Sequence, residues 1–212
     1  MSFPPSIEAA YRPVQSEIVS LHARWHQWKT LFATEQASVE ILNKTAPLFF
    51  AHVQQVLVSD VIIGITRLFD PANTGKNENA SLFWVLDAVK LEGREGLAEK
   101  LEQTLSIVTP QIEAARKHRH KRIAHNDRAT FLSADPSVLP AISDSDFSLL
   151  LASAEKFLNL VTVEYGDTQT VLDYLDAPGD AGVLVRHLDH AIQFRDLYFQ
   201  MKKAGTDGSL RW

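Results

Sequence analysis

Apolar residues recur at helical spacing along almost every long segment of this 212-residue chain, and nowhere do they alternate long enough to line one face of a sheet. Val14, Ile18, Leu21, Trp25, Trp28 and Phe32 follow one another at steps of four or three and form a single stripe on one helix. Pro13 is tolerable only in a first turn, so that helix is predicted to start near it. Further helices are predicted from about Glu35 to Lys44, Pro47 to Phe69 and Leu82 to Leu91, the last with Ser81 as N-cap. Another begins near Leu97, is kinked or divided at Pro110, and runs on to about Asp127. Ser143-Asp144-Ser145-Asp146 announces a helix that ends near Tyr165-Gly166. A final one spans about Ala181 to Lys203, with Leu184, Leu188, Ala191, Ile192, Leu197 and Met201 expected inward. Residues 129–143 form the longest irregular connection. The fold class is therefore all-α: an up-and-down antiparallel helix bundle with additional short helices, read as one domain over 1–212.

Composition narrows the function. The chain has no cysteine, so disulfides and thiolate metal sites are excluded, and a cytoplasmic protein fits. No uninterrupted apolar run reaches a membrane span; Val53–Ile65 comes nearest and is broken by Gln54, Gln55, Ser59 and Asp60. No Gly-rich phosphate loop is present. The pairs His22/His26 and His187/His190 have helical spacing but no accompanying third ligand, so no metal and no cofactor is expected.

Charge is distributed unevenly. The formal net charge is -5, yet Arg116–Arg128 packs six Lys/Arg, three His and one Asp into thirteen residues. That window carries +5, which leaves -10 for the rest of the chain. A positive island on an acidic body suits a phosphate-bearing partner held at one place.

Two stretches together resemble the HEPN superfamily, and within it the AbiU-type abortive-infection branch. The first comprises Phe49-Phe50, Asp60-Val61-Ile62, Arg67-Leu68-Phe69-Asp70-Pro71 and Asn79-Ala80-Ser81-Leu82. The second is Arg119-His120-Lys121-Arg122-Ile123-Ala124-His125-Asn126-Asp127, which matches the signature of an Arg, a polar residue and a His after a short interval. The residue after the Arg is often Asn or Asp in that superfamily; here it is His120. The resemblance covers roughly residues 25–165, with the helix at about 181–203 expected to pack on that core. It implies a HEPN-like helical bundle that forms a homodimer and joins two motifs in one composite cleft. It also implies a metal-independent endoribonuclease of a toxin or phage-defence (abortive infection) system, with RNA as partner and with a cognate antitoxin or nucleotidyltransferase as a further one. Other members are inactive or accessory, so a non-catalytic module that binds RNA or nucleotide, or docks a partner, is the alternative.

The residue types suit the chemistry. Metal-free RNA cleavage uses the neighbouring 2′-hydroxyl as nucleophile and needs a base, an acid and positive charge at the phosphorane. Imidazole titrates near neutrality, so His125 suits either proton role. A guanidinium grips two phosphate oxygens at once, so Arg119 suits the developing charge. On a continuous α-helix the two would lie about 120° apart. A composite dimer site, or a helix that unwinds near His125, relieves that separation. Arg116, His120, Lys121, Arg122 and Asn126 are candidate RNA-binding residues. Asp127 and Asn126 are candidates to orient the imidazole, and Arg67 and Asp70 to pair with each other or with the motif helix. The competing reading treats these cations as a solvated face at a helix C-terminus, where the dipole favours them.

Overall fold

The computed structural model describes residues 3–125, 127–132, 139–166, 169–172 and 179–204. Its helices are α1 (Pro5–Phe32), α2 (Gln36–Thr45), α3 (Pro47–Leu68), α4 (Leu82–Leu91), α5 (Glu95–Ile107), α6 (Thr109–His118), α7 (Arg128–Leu132), α8 (Asp144–Glu164) and α9 (Ala181–Lys203), with a π-turn at Arg119–Ala124. A minimal hairpin pairs Asn73–Thr74 with Asn77–Glu78, closed by Gly75 at φ +63°. The fold is all-α, as the periodicity requires. The helices gather into two compact units, Met1–Arg24 with Val58–Leu175, and Trp25–Leu57 with Asp176–Trp212. Helices α1 and α3 contribute one end to each.

In the first unit the core lies among α1, α3, α4, α5 and α8. Ile7, Val14, Ile18, Leu21, Val61, Ile65, Leu82, Leu101, Leu150 and Phe157 are fully or almost fully buried. Helix α1 approaches α3 closely because Gly64 has no side chain: a Cβ there would lie 2.4 Å from Leu21 Cδ2. Beside that contact Arg24 donates to Asp60 at 2.6 Å and to Glu17 at 3.0 Å. Burial disfavours the Arg24 charge; the bonds to Asp60 and then Glu17 outweigh it and raise its pKa. Asp60 is thus the partner of a cation. Tyr11 joins α1 to α8: Thr162 donates its hydroxyl proton to Leu158 O, so the Tyr11 hydroxyl donates to Thr162 Oγ1 at 2.8 Å. Helix α8 opens with a capping box in which Ser143 and Asp146 satisfy each other's backbone N–H groups.

In the second unit Leu31, Leu42, Phe50 and Ala181 are buried together, with Val53, Leu57, Val185 and Leu188 packed against them. The packing positions of α9 are therefore Ala181, Val185 and Leu188. Leu184 and Leu197, expected inward, are exposed.

Three local expectations change. Helix α1 starts at Pro5, eight residues before Pro13, which lies inside it. An internal proline costs a helix about 3 kcal/mol, but the segment before it buries Ile7, Ala10 and Tyr11. Ser81 holds the N-cap position of α4, yet its hydroxyl is buried and makes no cap bond. Helix α3 passes, by window hydropathy and length, as able to cross a membrane, although no uninterrupted apolar run does. Part of that apolar surface packs against protein: Val61, Ile65 and Leu68 in the first unit, Phe50, Val53 and Leu57 in the second, while Leu48, Phe49 and Val56 are exposed.

Candidate functional site

Pro110 divides the predicted helix: α5 ends at Ile107, Val108 is the junction, and Pro110 stands in the first turn of α6. The α-geometry then stops at His118, nine residues before Asp127. Arg119–Ala124 continue as a π-turn, and His125 leaves it in an extended conformation at φ -138°, ψ 140°. A π-turn uses i→i+5 hydrogen bonds and widens the backbone, and such turns often accompany functional sites.

The basic run docks on the C-terminal end of α3. Arg116 donates through Nη2 to Phe69 O at 2.6 Å and through Nη1 to Glu113 at 2.6 Å. Arg119 Nη1 donates to Asp70 Oδ2 at 3.0 Å and to Thr66 Oγ1 at 3.3 Å. Thr66 is completely buried and gives its own proton to Ile62 O and Ile63 O. Two cations thus meet the negative end of α3, where free carbonyls and the helix dipole favour them. The helix C-terminus that these residues decorate is that of α3, as well as their own.

The Asp70 carboxylate therefore pairs with the motif helix and not with Arg67, whose side chain is exposed and makes no hydrogen bond or ion pair among the described residues. The Arg119 side chain keeps 37% of its surface accessible and that of Asp70 23%, so the guanidinium is anchored at one edge while the other stays open.

His125 is exposed. Its ring meets the ring of His120, also exposed, edge to face: centroids 5.3 Å apart, planes at 84°. No hydrogen bond joins Arg119 to His125 among the described residues. Lys117 and Arg122 are exposed and Lys121 is half-buried. Asn126 lies outside the described residues. His118 turns away from the island and binds Pro140 O through Nε2 at 2.7 Å, which ties the following loop to the motif helix.

Asp127 has a local duty. Its Oδ1 accepts from the Thr130 hydroxyl at 2.6 Å and from the Thr130 N–H at 2.7 Å, and its own N–H donates to Lys121 O at 3.1 Å. It caps α7 and clamps the chain directly after His125. The Thr130 hydroxyl, then the Thr130 N–H, and then the positive charges of Lys121 and His120 hold its pKa below the usual carboxylate value. Its contact with His120 is through charge; no hydrogen bond to an imidazole is formed.

A separate cleft of about 470 Å³ in the same unit lies between the hairpin and α4, lined by Asn73, Glu78, Asn79, Trp84 and Asp87 among others. With two carboxylates and no cation in its lining, it does not suit a phosphate. The basic side chains lie on the motif helix.

The family model HEPN_AbiU2 matches residues 7–184, most of the chain and all of the motif. No curated protein and no solved structure matches the chain.

Proposed function

Since this chain belongs to the HEPN_AbiU2 family, we propose that it is a metal-independent endoribonuclease of the toxin or phage-defence type, acting as a homodimer on RNA in the cytoplasm. The observation that carries this reading is the end of the motif helix. There His125 stands exposed in extended conformation beside a turn bearing Arg119, Lys121 and Arg122.

In this reading the 2′-hydroxyl attacks its own phosphate. His125 exchanges protons with the reacting oxygens, which is worth about 10²–10⁴-fold in rate. The open edge of Arg119 meets the charge that grows on the phosphorane, a role worth roughly 10²–10³-fold. Asp70 and Thr66 hold that guanidinium at a fixed place, so little reorganisation is needed as charge develops. Arg116 is engaged by Phe69 O and Glu113; its part is to fix the motif helix, while Lys121 and Arg122 add positive charge along the path of the RNA backbone. Arg67 faces solvent and contributes at most long-range attraction. A second protomer brings a second motif to the same cleft.

The alternative is a non-catalytic module that holds RNA or nucleotide on the same island. The engagement of Arg119 by Asp70 favours it, because a guanidinium already paired has structural work without any substrate. The experiment is cleavage and binding of mixed RNAs in excess EDTA by wild type and His125→Ala. The endoribonuclease reading expects cleavage by wild type, about 10²–10⁴-fold less by the variant, and RNA binding little changed. Binding without cleavage in both proteins would establish the module instead.

A further inference from the structure

We propose that His120 is a second catalytic residue: the acid that protonates the leaving 5′-oxygen, while His125 takes the proton of the 2′-hydroxyl. This rests on the endoribonuclease reading and refines it, because acid and base then form a pair within one protomer.

The geometry begins with the π-turn. In an α-helix residues five apart project about 140° from each other and their side chains cannot meet. The i→i+5 pattern of Arg119–Ala124 places residue 120 below residue 125, and their rings come to 5.3 Å. Core packing does not account for the contact, since both rings are exposed and neither makes a hydrogen bond among the described residues. Two neighbouring groups are occupied elsewhere. Arg119 reaches Asp70 and Thr66, and His118 reaches Pro140.

Charge assigns the two roles. His120 faces the ring of His125 and feels the carboxylate of Asp127, which Lys121 also feels. Asp127, fixed by Thr130, supplies a counter-charge on the side of His120, which suits the acid's role there and leaves the base's role to His125.

The step balances within the pair. The 2′-oxygen gives its proton to His125 and forms a bond to phosphorus. The bond from phosphorus to the 5′-oxygen breaks, and that oxygen takes the proton of His120. The products are a 2′,3′-cyclic phosphate and a 5′-hydroxyl. The pair ends with its proton on the other ring, and exchange with water resets it. No redox partner or external nucleophile enters.

The test uses the full-length protein and a linkage that wild type is found to cut in EDTA. That linkage is made again with its bridging 5′-oxygen replaced by sulfur, which departs without needing a proton. The expected result is that His120→Asn cuts the oxygen linkage on the order of 10²–10⁴-fold more slowly than wild type, yet cuts the sulfur linkage within a few-fold of it. His125→Ala should be slow on both. A purely structural role for His120 would not be rescued by the leaving group, and equal loss on both linkages overturns the proposal. So does unchanged cleavage of the oxygen linkage, in which case the reading of His125 still stands. Failure of wild type to cut any RNA overturns both. Circular dichroism and a thermal melt of His120→Asn check its fold, which an exposed side chain should leave intact.

Discussion

The pair between Asp70 and Arg119 joins the fold to the site, and its removal should register in both. Its two charged atoms lie 3.0 Å apart. At an effective dielectric constant of about 20, their gross attraction is about 5.5 kcal/mol. Desolvation and lost side-chain freedom return most of that. Exposed pairs are worth about 0–1 kcal/mol, while breaking a buried one costs about 3–5 kcal/mol. With a quarter to a third of each side chain accessible, this pair falls between, at about 1–2 kcal/mol net. Asp70→Ala and Arg119→Ala should each lower stability by that amount in urea titrations, or by about 2–8 °C in melting temperature. The double variant should lose less than the two together, with a coupling near 1 kcal/mol. Cleavage should separate them. Arg119→Ala removes the charge itself and should lose about 10²–10³-fold. Asp70→Ala leaves the charge but frees it to wander, and should lose less. Strict additivity of the stabilities would refute the pairing, and wild-type cleavage by Arg119→Ala would reduce Arg119 to a structural residue.

Two further outcomes follow from the scaffold. Gly64→Val forces a side chain onto Leu21 in the buried α1–α3 contact, and overpacking of that kind should cost about 1–3 kcal/mol in a denaturation midpoint; a neutral result would mean the helices can separate freely there. Ser143→Ala removes the hydroxyl half of the α8 capping box and should cost about 1 kcal/mol at neutral pH. The Ser143 N–H, then its hydroxyl, hold the folded pKa of Asp146 below its ordinary value. A depressed carboxylate stabilises above the unfolded pKa, and that contribution disappears as pH falls through the folded one. The difference between Ser143→Ala and wild type should therefore narrow below about pH 4; a gap that stays constant into acid would show that the carboxylate takes no part.

How far the sequence is legible depends on the range of the interaction. Helix α4 ends and helix α9 begins where local signals place them, since Glu92-Gly93 and Pro178-Gly179-Asp180 punctuate the chain by turn chemistry alone. Asp180 caps α9 by accepting the N–H of Val183. The start of α1 escapes such reading, because burial of Ile7, Ala10 and Tyr11 against distant helices overrides the penalty at Pro13. The inward face of α9 is mistaken for a similar reason: Leu184 and Leu197 are as apolar as Val185 and Leu188, and only the neighbouring helices decide between them. At the site, the Arg119–His125 spacing flags the motif from sequence. Asp70, the partner of Arg119, lies 49 residues upstream, and no local pattern indicates that its cation is Arg119 and not Arg67. The π-turn has no residue code of its own, so the meeting of His120 with His125 emerges only in three dimensions. A composite dimer site, or a helix that unwinds near His125, is what the 120° separation calls for. The helix widens at Arg119 and stops at an extended His125, and it is His120 that His125 meets.

The chemistry of the severed ends tests the central claim most directly. RNA cut by the wild-type protein in excess EDTA should carry 2′,3′-cyclic phosphate and 5′-hydroxyl termini, because the neighbouring 2′-oxygen is the nucleophile. Products with 5′-phosphate and 3′-hydroxyl ends, or cleavage that ceases when divalent metal is removed, would contradict it.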